Sequence, residues 1–198
     1  MAWDVEGTKR RLKDAAIVEF AERGPDGTTM SRIAERAGIN KERLYKYYGD
    51  KDALFETVLA EELDRLAGVV PPAGDTVADL GEWAGHAFDY HAAHPHLVRL
   101  LQWEGLAGRG IADRLNRETH YREKVRAVER AQRDGLISDA VDPAHLVFLV
   151  IAIATWWFSV PQVAQMLSGG APDDDAEHAR RRASVVAAAR RLGASGQP

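Results

Sequence analysis

Nine side chains between residues 29 and 51 share one kind of chemistry. Thr29, Ser31, Asn40, Lys41, Arg43, Tyr45, Lys46, Tyr47 and Lys51 all carry hydroxyl, amide or cationic donors. Donors of these types pair with phosphate oxygens of a nucleic-acid backbone, and an arginine can also bond a guanine edge at two points. Thr29 and Ser31 stand where a helix would begin, and the exposed N–H groups of a helix N-terminus favour a phosphate there. Lys51 opens a later helix and is expected to grip the backbone from the side. Tyr45 is equally suited to packing, Tyr48 to the core, and Lys46 to solvent.

These groups act together only if a scaffold aims them in one direction. Thr29 reads as the N-cap of a short helix, Met30–Ala37, closed by Gly38, and Asn40 as the cap of a second over residues 41–47. Two short helices joined by a three-residue turn cross steeply, so their contact needs a small residue and their turn a glycine. Ala34 supplies the first, and Gly38 tolerates the positive φ that the second requires. Ile33, Ala37, Ile39 and Leu44 provide the apolar core beneath. This is helix-turn-helix spacing, in which the second helix enters the major groove of DNA. A helix over 8–23 precedes it, with Thr8 as N-cap, Leu12, Ala16 and Phe20 on one face, and Gly24-Pro25 as the stop. Gly49-Asp50 ends the third helix, and a long fourth follows over 51–68.

Beyond the loop at 70–75 the periodicity stays helical, with no sustained strand alternation. Helices are expected over 76–93 and 96–106, then a long one ending near Gly135. Asp142-Pro143 opens a further helix that reaches Pro161 or a few residues beyond. After a loop at 168–175, a last helix covers 176–192, and the tail 193–198 is expected to fray. The expectation is an all-α fold of about nine helices: a three-helix DNA-binding domain at 1–52 and a helical effector-binding and dimerisation domain at 53–198.

Charge distribution supports a nucleic-acid partner despite a net charge of −4. Residues 8–51 carry eleven Lys and Arg against seven Asp and Glu, a net +4, so the remainder is −8. A basic head on an acidic body confines phosphate attraction to one end of the chain. The absence of cysteine excludes disulfides and thiolate metal sites and fits a reducing cytoplasm. The N-terminal residues lack the basic and apolar regions of a signal peptide. The most apolar run, residues 146–160, is short of the roughly 20 residues that span a membrane.

The head resembles the DNA-binding region of the TetR family over roughly residues 8–60. Agreement runs through Ala15-Ala16, Phe20, Gly24, Thr28-Thr29-Met30, Ile33-Ala34, Ala37-Gly38-Ile39, Leu44-Tyr45, Tyr48, and Lys51 followed by Leu54-Phe55. Three positions depart from the family's pattern. Glu19 stands where an apolar residue is usual, Pro25 replaces a common aromatic, and Glu42-Arg43 replace Gly or Pro and a small polar residue. The last departure alters what the third helix reads, so no operator sequence transfers from relatives.

The resemblance implies a regulator, commonly a repressor, released from a palindromic operator by a small molecule. It also implies a homodimer in which the last two helices of each subunit form a four-helix bundle. The two recognition helices then face successive major grooves about 34–36 Å apart. The helix carrying Leu146, Val147, Leu149, Val150, Ile153, Trp156 and Trp157 is apolar around most of its circumference, and Ala179, Ala183, Val186 and Ala187 of the last helix allow close approach. Residues 94–104 look like the helix after a proline break in a subgroup whose middle helices surround an effector pocket. Its wall is expected from Trp83, Phe88, Trp103, Tyr121 and Phe148, with Glu104 as an interior polar group, for a small hydrophobic or aromatic effector.

Other chemistries fare worse. His91, His94 and His96 straddle a helix end with no thiolate or aimed carboxylate, so no metal site or other cofactor is expected. Arg180-Arg181-Arg182 reads as a solvated face or as partner to Asp173–Asp175. No Gly-rich phosphate loop, HExxH or GxSxG motif is present, so the chain is not expected to be an enzyme.

Overall fold

The computed structural model describes residues 4–70, 75–108, 110–169 and 174–194. Among these the protein is entirely helical, in ten helices: α1 (Val5–Gly27), α2 (Met30–Ala37), α3 (Lys41–Tyr48), α4 (Lys51–Val69), α5 (Val77–Ala93), α6 (Pro95–Ala107), α7 (Arg114–Arg133), α8 (Pro143–Ser159), α9 (Pro161–Ser168) and α10 (Asp175–Gly193). The loops expected at 70–75 and 168–175 and the tail at 193–198 fall mostly outside the described residues. The chain forms two compact units. Among the described residues, those within 4–65 and 96–114 make the first, and those within 66–95 and 115–194 the second.

In the first unit, α1 starts earlier than expected because Asp4, not Thr8, caps it. The Asp4 carboxylate accepts from the Gly7 N–H at 2.7 Å, while the Thr8 hydroxyl donates to the Asp4 carbonyl. Gly24, at φ 71° and ψ 171°, interrupts the helix as its sequence suggested, although hydrogen-bonded turns continue to Gly27. The Trp103 indole lies against Gly24 so closely that a Cβ there would stand 2.7 Å from the ring. Leu12, Phe20, Ile33, Leu44, Leu54 and Leu59 are fully buried, and Phe20 meets Phe55 edge-on at 5.1 Å.

Glu19, which breaks the apolar pattern of α1, is also inside, at 2% exposure. Its carboxylate accepts from the Thr28 hydroxyl at 2.8 Å, from Arg36 Nε at 2.8 Å and from Arg32 Nε at 3.3 Å, with Arg23 within 3.5 Å. It thus ties α1 to both ends of α2. A buried charge satisfied on every side avoids the penalty that an apolar position would otherwise impose.

In the second unit, α5 is capped by a reciprocal Thr76–Asp79 box and packs along α10. Gly81 and Gly85 of α5 lie directly under Arg190, Arg182 and Val186. Arg182 then bonds the Asp89 carboxylate at 2.8 Å, and Arg190 bonds Glu82 at 2.9 Å. Arg180 and Arg181 both bond Glu177, so among the described residues the acidic partners of this arginine run are Glu177 and Asp89, while Asp173 of the expected partner loop lies outside the described residues. The apolar helix is also shorter than expected. It ends at Ser159, where the chain bends by 86° into the separate α9, because Pro161 offers no N–H to continue the ladder.

Burial pushes the Glu19 pKa up, but the bonds from Thr28, Arg36 and Arg32 outweigh it and hold the group at about 2, below its usual 4.5. Its contribution to stability is therefore complete above pH 4.5 and is lost as pH falls from there towards 2. Urea unfolding at a series of pH values should show Glu19→Gln less stable than wild type at neutral pH, by roughly 1.5–3 kcal/mol. The gap should close across that acidic window.

Candidate nucleic-acid interface

The steep α2–α3 corner is built from backbone bonds that the sequence dictates. Thr29 Oγ1 accepts from the Arg32 N–H at 3.3 Å to start α2. Gly38, at φ 62° and ψ 35°, turns its N–H back to the Ala34 and Glu35 carbonyls, and Ile39 N–H also reaches the Ala34 carbonyl. Asn40 Oδ1 then accepts from the Glu42 N–H at 2.9 Å and starts α3. Leu44, at 0% exposure, sets the rotation of α3 about its axis.

With Leu44 inward, Lys41, Tyr45 and Lys46 are exposed, while Arg43 and Tyr47 are half-buried on the flank. Thr29, Ser31 and Asn40 are exposed at the helix starts. Lys41 Nζ lies 5.5 Å from the centre of the Tyr45 ring, and Lys9 Nζ lies 5.9 Å from that of Tyr47. Lys51 Nζ donates to the Thr28 carbonyl at 3.3 Å, which places its ammonium beside the start of α2. All nine sequence-nominated groups therefore lie on the α2–α3 corner or at the start of α4. Tyr48 lies beneath, where its hydroxyl donates to the Lys9 carbonyl at 3.2 Å. Burial, with Glu61 and Glu6 nearby, pushes that hydroxyl up to about 12, so it remains a neutral donor.

Sequence reasoning missed Arg11. Its Nη2 donates to the Ala37 carbonyl at 2.7 Å and reaches the Gly38 carbonyl at 3.4 Å. A cation at the carbonyl end of α2 satisfies groups that the helix leaves unpaired. The sequence carried no signal for this, since Asp14 stands three residues on in α1 as a ready intrahelical partner.

The six effector candidates do not share one setting. Trp83 and Phe88 are buried in α5, where Phe88 packs on Phe158 and His178, each at 5.1 Å. Tyr121 and Phe148 are exposed on their unit, at 41% and 70%. Trp103 and Glu104 belong to the first unit. Trp103 borders an open depression of about 610 Å³ with Ala21, Glu22, Arg99, Gln102 and Leu106, while Glu104 Oε1 accepts from the Ala112 N–H at 2.8 Å. His91, set aside as a metal ligand, is buried, and among the described residues its Nδ1 meets no hydrogen-bond partner. Burial, then the neighbouring His94, depresses its pKa to about 4. Among the described residues no group of three or more His, Asp or Glu could hold a metal, and no single helix is long and apolar enough to cross a membrane.

A basic and aromatic outward face on the second helix of such a corner defines a helix-turn-helix DNA-binding regulator. Residues 12–58 match the family model for bacterial regulatory proteins of the tetR family, and residues 79–191 match the tetracyclin repressor-like C-terminal domain. The chain is 44% identical over 172 residues to the HTH-type transcriptional repressor SCO4008 of Streptomyces coelicolor, covering 85% of this chain and 88% of that protein. It is 29% identical over 154 residues to the HTH-type transcriptional regulator RutR of Escherichia coli, covering 75% and 72%. Among solved structures it resembles transcriptional regulator SCO4942 of Streptomyces coelicolor, with a TM-score of 0.80 at 31% identity, covering 94% of this chain and 98% of that one. The ketosteroid regulator KstR2 of Mycobacterium tuberculosis shares the fold at a TM-score of 0.70 and 19% identity, with 94% and 96% covered. The chain belongs to the TetR family of transcription regulators.

Arg11→Ala should lower stability by about 1–2 kcal/mol and weaken DNA binding, although Arg11 is nominated for no phosphate or base. Urea unfolding and fluorescence anisotropy on one duplex check this. A loss of DNA affinity with unchanged stability would reassign Arg11 to the interface.

Proposed function

We propose that this protein is a homodimeric repressor that reads a palindromic operator and is released by a small hydrophobic or aromatic effector. The observation that carries the reading is the outward face of α3, where Lys41, Tyr45 and Lys46 are exposed above a fully buried Leu44. Arg43 is assigned to a base edge. Thr29, Ser31, Asn40, Lys41, Tyr45, Lys46, Tyr47 and Lys51 are assigned to phosphates and positioning. In this reading residues 1–52 bind DNA and 53–198 bind the effector and the second subunit, in the cytoplasm. The repressor name of the relative sharing 44% identity supports the sign of regulation.

The dimer surface is assigned to α8 and α10, with α9 beside them. Phe148, Leu149 and Trp156 of α8 are exposed in the single chain. Ala152, Ile153, Trp156 and Trp157 also form, with Ser184, Val185 and Ala188 of α10, a largely apolar depression of about 390 Å³. Apolar surface of this kind is what an obligate partner covers. The effector is assigned to the second unit, near Trp83, Phe88 and Phe158, where the unpartnered His91 Nδ1 offers one polar anchor in an aromatic setting. By linkage, such an effector must bind the DNA-incompetent state more tightly than the competent one.

Selection of duplexes from a random-sequence pool, at a stated salt concentration, tests the reading. A palindrome with half-sites about one helical turn apart is the expected result. Weak, salt-sensitive binding without enrichment would overturn it. On the selected duplex, Arg43→Ala should cost roughly 1–3 kcal/mol and relax preference at one base, whereas Lys51→Ala should weaken all sequences and reduce the salt slope by about one. Trp156→Glu should sediment as a monomer and lose the palindrome.

A further inference from the structure

Glu42 is the one acidic side chain on α3, in the first turn of the helix. At about 100° per residue, a position two before Leu44 lies about 160° around the axis from it. Because Leu44 points straight into the core, Glu42 and Lys46 straddle the outermost line of the helix. The residues near the N-terminus of a recognition helix are the ones that meet base edges. Glu42 is exposed, and among the described residues its carboxylate makes no hydrogen bond or ion pair. Its backbone N–H is already taken by Asn40, so the side chain is not needed for the cap.

We infer that Glu42 reads a cytosine in each half-site, by accepting a hydrogen bond from the exocyclic amino group in the major groove. This rests on the DNA-binding reading above. A carboxylate carried into a groove lined by phosphates is repelled and loses water, so it is tolerated only where a base returns a donor. Guanine presents N7 and O6, both acceptors, and thymine presents O4, so each repels it. Adenine offers an amino group but sets the N7 acceptor beside it. Cytosine presents the N4 amino donor with an acceptor on one side only, the O6 of its paired guanine, whereas the adenine amino group lies between N7 and the thymine O4, so cytosine fits best. The same charge weakens attraction to DNA lacking that base, so Glu42 gains selectivity by lowering affinity for the alternatives.

The test is selection from the random pool by wild type, Glu42→Ala and Glu42→Gln, followed by competition binding on the selected site. Wild type should enrich a symmetric pair of C·G pairs with roughly 5- to 150-fold preference at that position. Glu42→Ala should lose this preference, keep the rest of the palindrome, and bind unrelated DNA more tightly. Glu42→Gln should move the preference towards adenine, whose N6 and N7 a glutamine bonds together. A change confined to helix stability could not produce that switch. A palindrome selected identically by all three proteins would overturn the inference and leave the DNA-binding reading intact. Failure of wild type to enrich any duplex would overturn both.

Discussion

The interface depends on the complete burial of one leucine. Leu44 is the only residue of α3 that is fully enclosed, and its burial, worth about 1.5–3 kcal/mol, turns an eight-residue helix to a single orientation. A helix that short has little stability of its own. It persists here because Asn40 caps its start, Leu44 anchors its middle, and the Tyr48 hydroxyl ties its end to the Lys9 carbonyl. Everything that faces outward does so as a consequence of what faces in.

Polar cross-links perform the remaining positioning. Glu19 joins α1 to α2 through Thr28, Arg32 and Arg36. Arg11 joins the same two helices at the other end through the carbonyls of Ala37 and Gly38. In the second unit Asp89–Arg182 and Glu82–Arg190 clamp α5 to α10. Within the first unit Glu62 of α4, at 0% exposure, meets Arg65 and His96 at 2.8 Å. Of these carboxylates Glu19 and Glu62 are buried, so losing a partner there leaves a charge inside the packing, whereas the α5–α10 pairs are partly exposed.

The helix-turn-helix was legible because its constraints are local. A cap, a small contact residue, a glycine and a buried leucine lie within sixteen residues of one another, and α2 matches its expected bounds residue for residue. The body was legible in outline, since Thr76 and Asp142-Pro143 announce helices by the same local chemistry. Three features escaped because long-range pairing decides them. Glu19 reads as a misplaced charge until its three donors converge on it. Arg11 gains a role only when α2 ends beside it. Arg182 of the α10 arginine run finds Asp89, ninety-three residues earlier in the chain. The effector candidates divide between buried and exposed positions because aromatic residues at helical spacing do not reveal which face of a helix its neighbours leave open.

The contact between Gly24 and Trp103 also constrains how the sequence can change over time. At position 24 the positive φ and the indole within 3 Å of any added Cβ each oppose a side chain. At position 103 only the second applies, in reverse: a smaller residue opens space without straining the chain. The two sites are therefore linked in an order. A lineage can shrink residue 103 first and still keep Gly24, whereas a side chain acquired first at 24 must displace the indole from its place on α1. Homologues lacking glycine at this corner should be found only among those that had already given up the tryptophan.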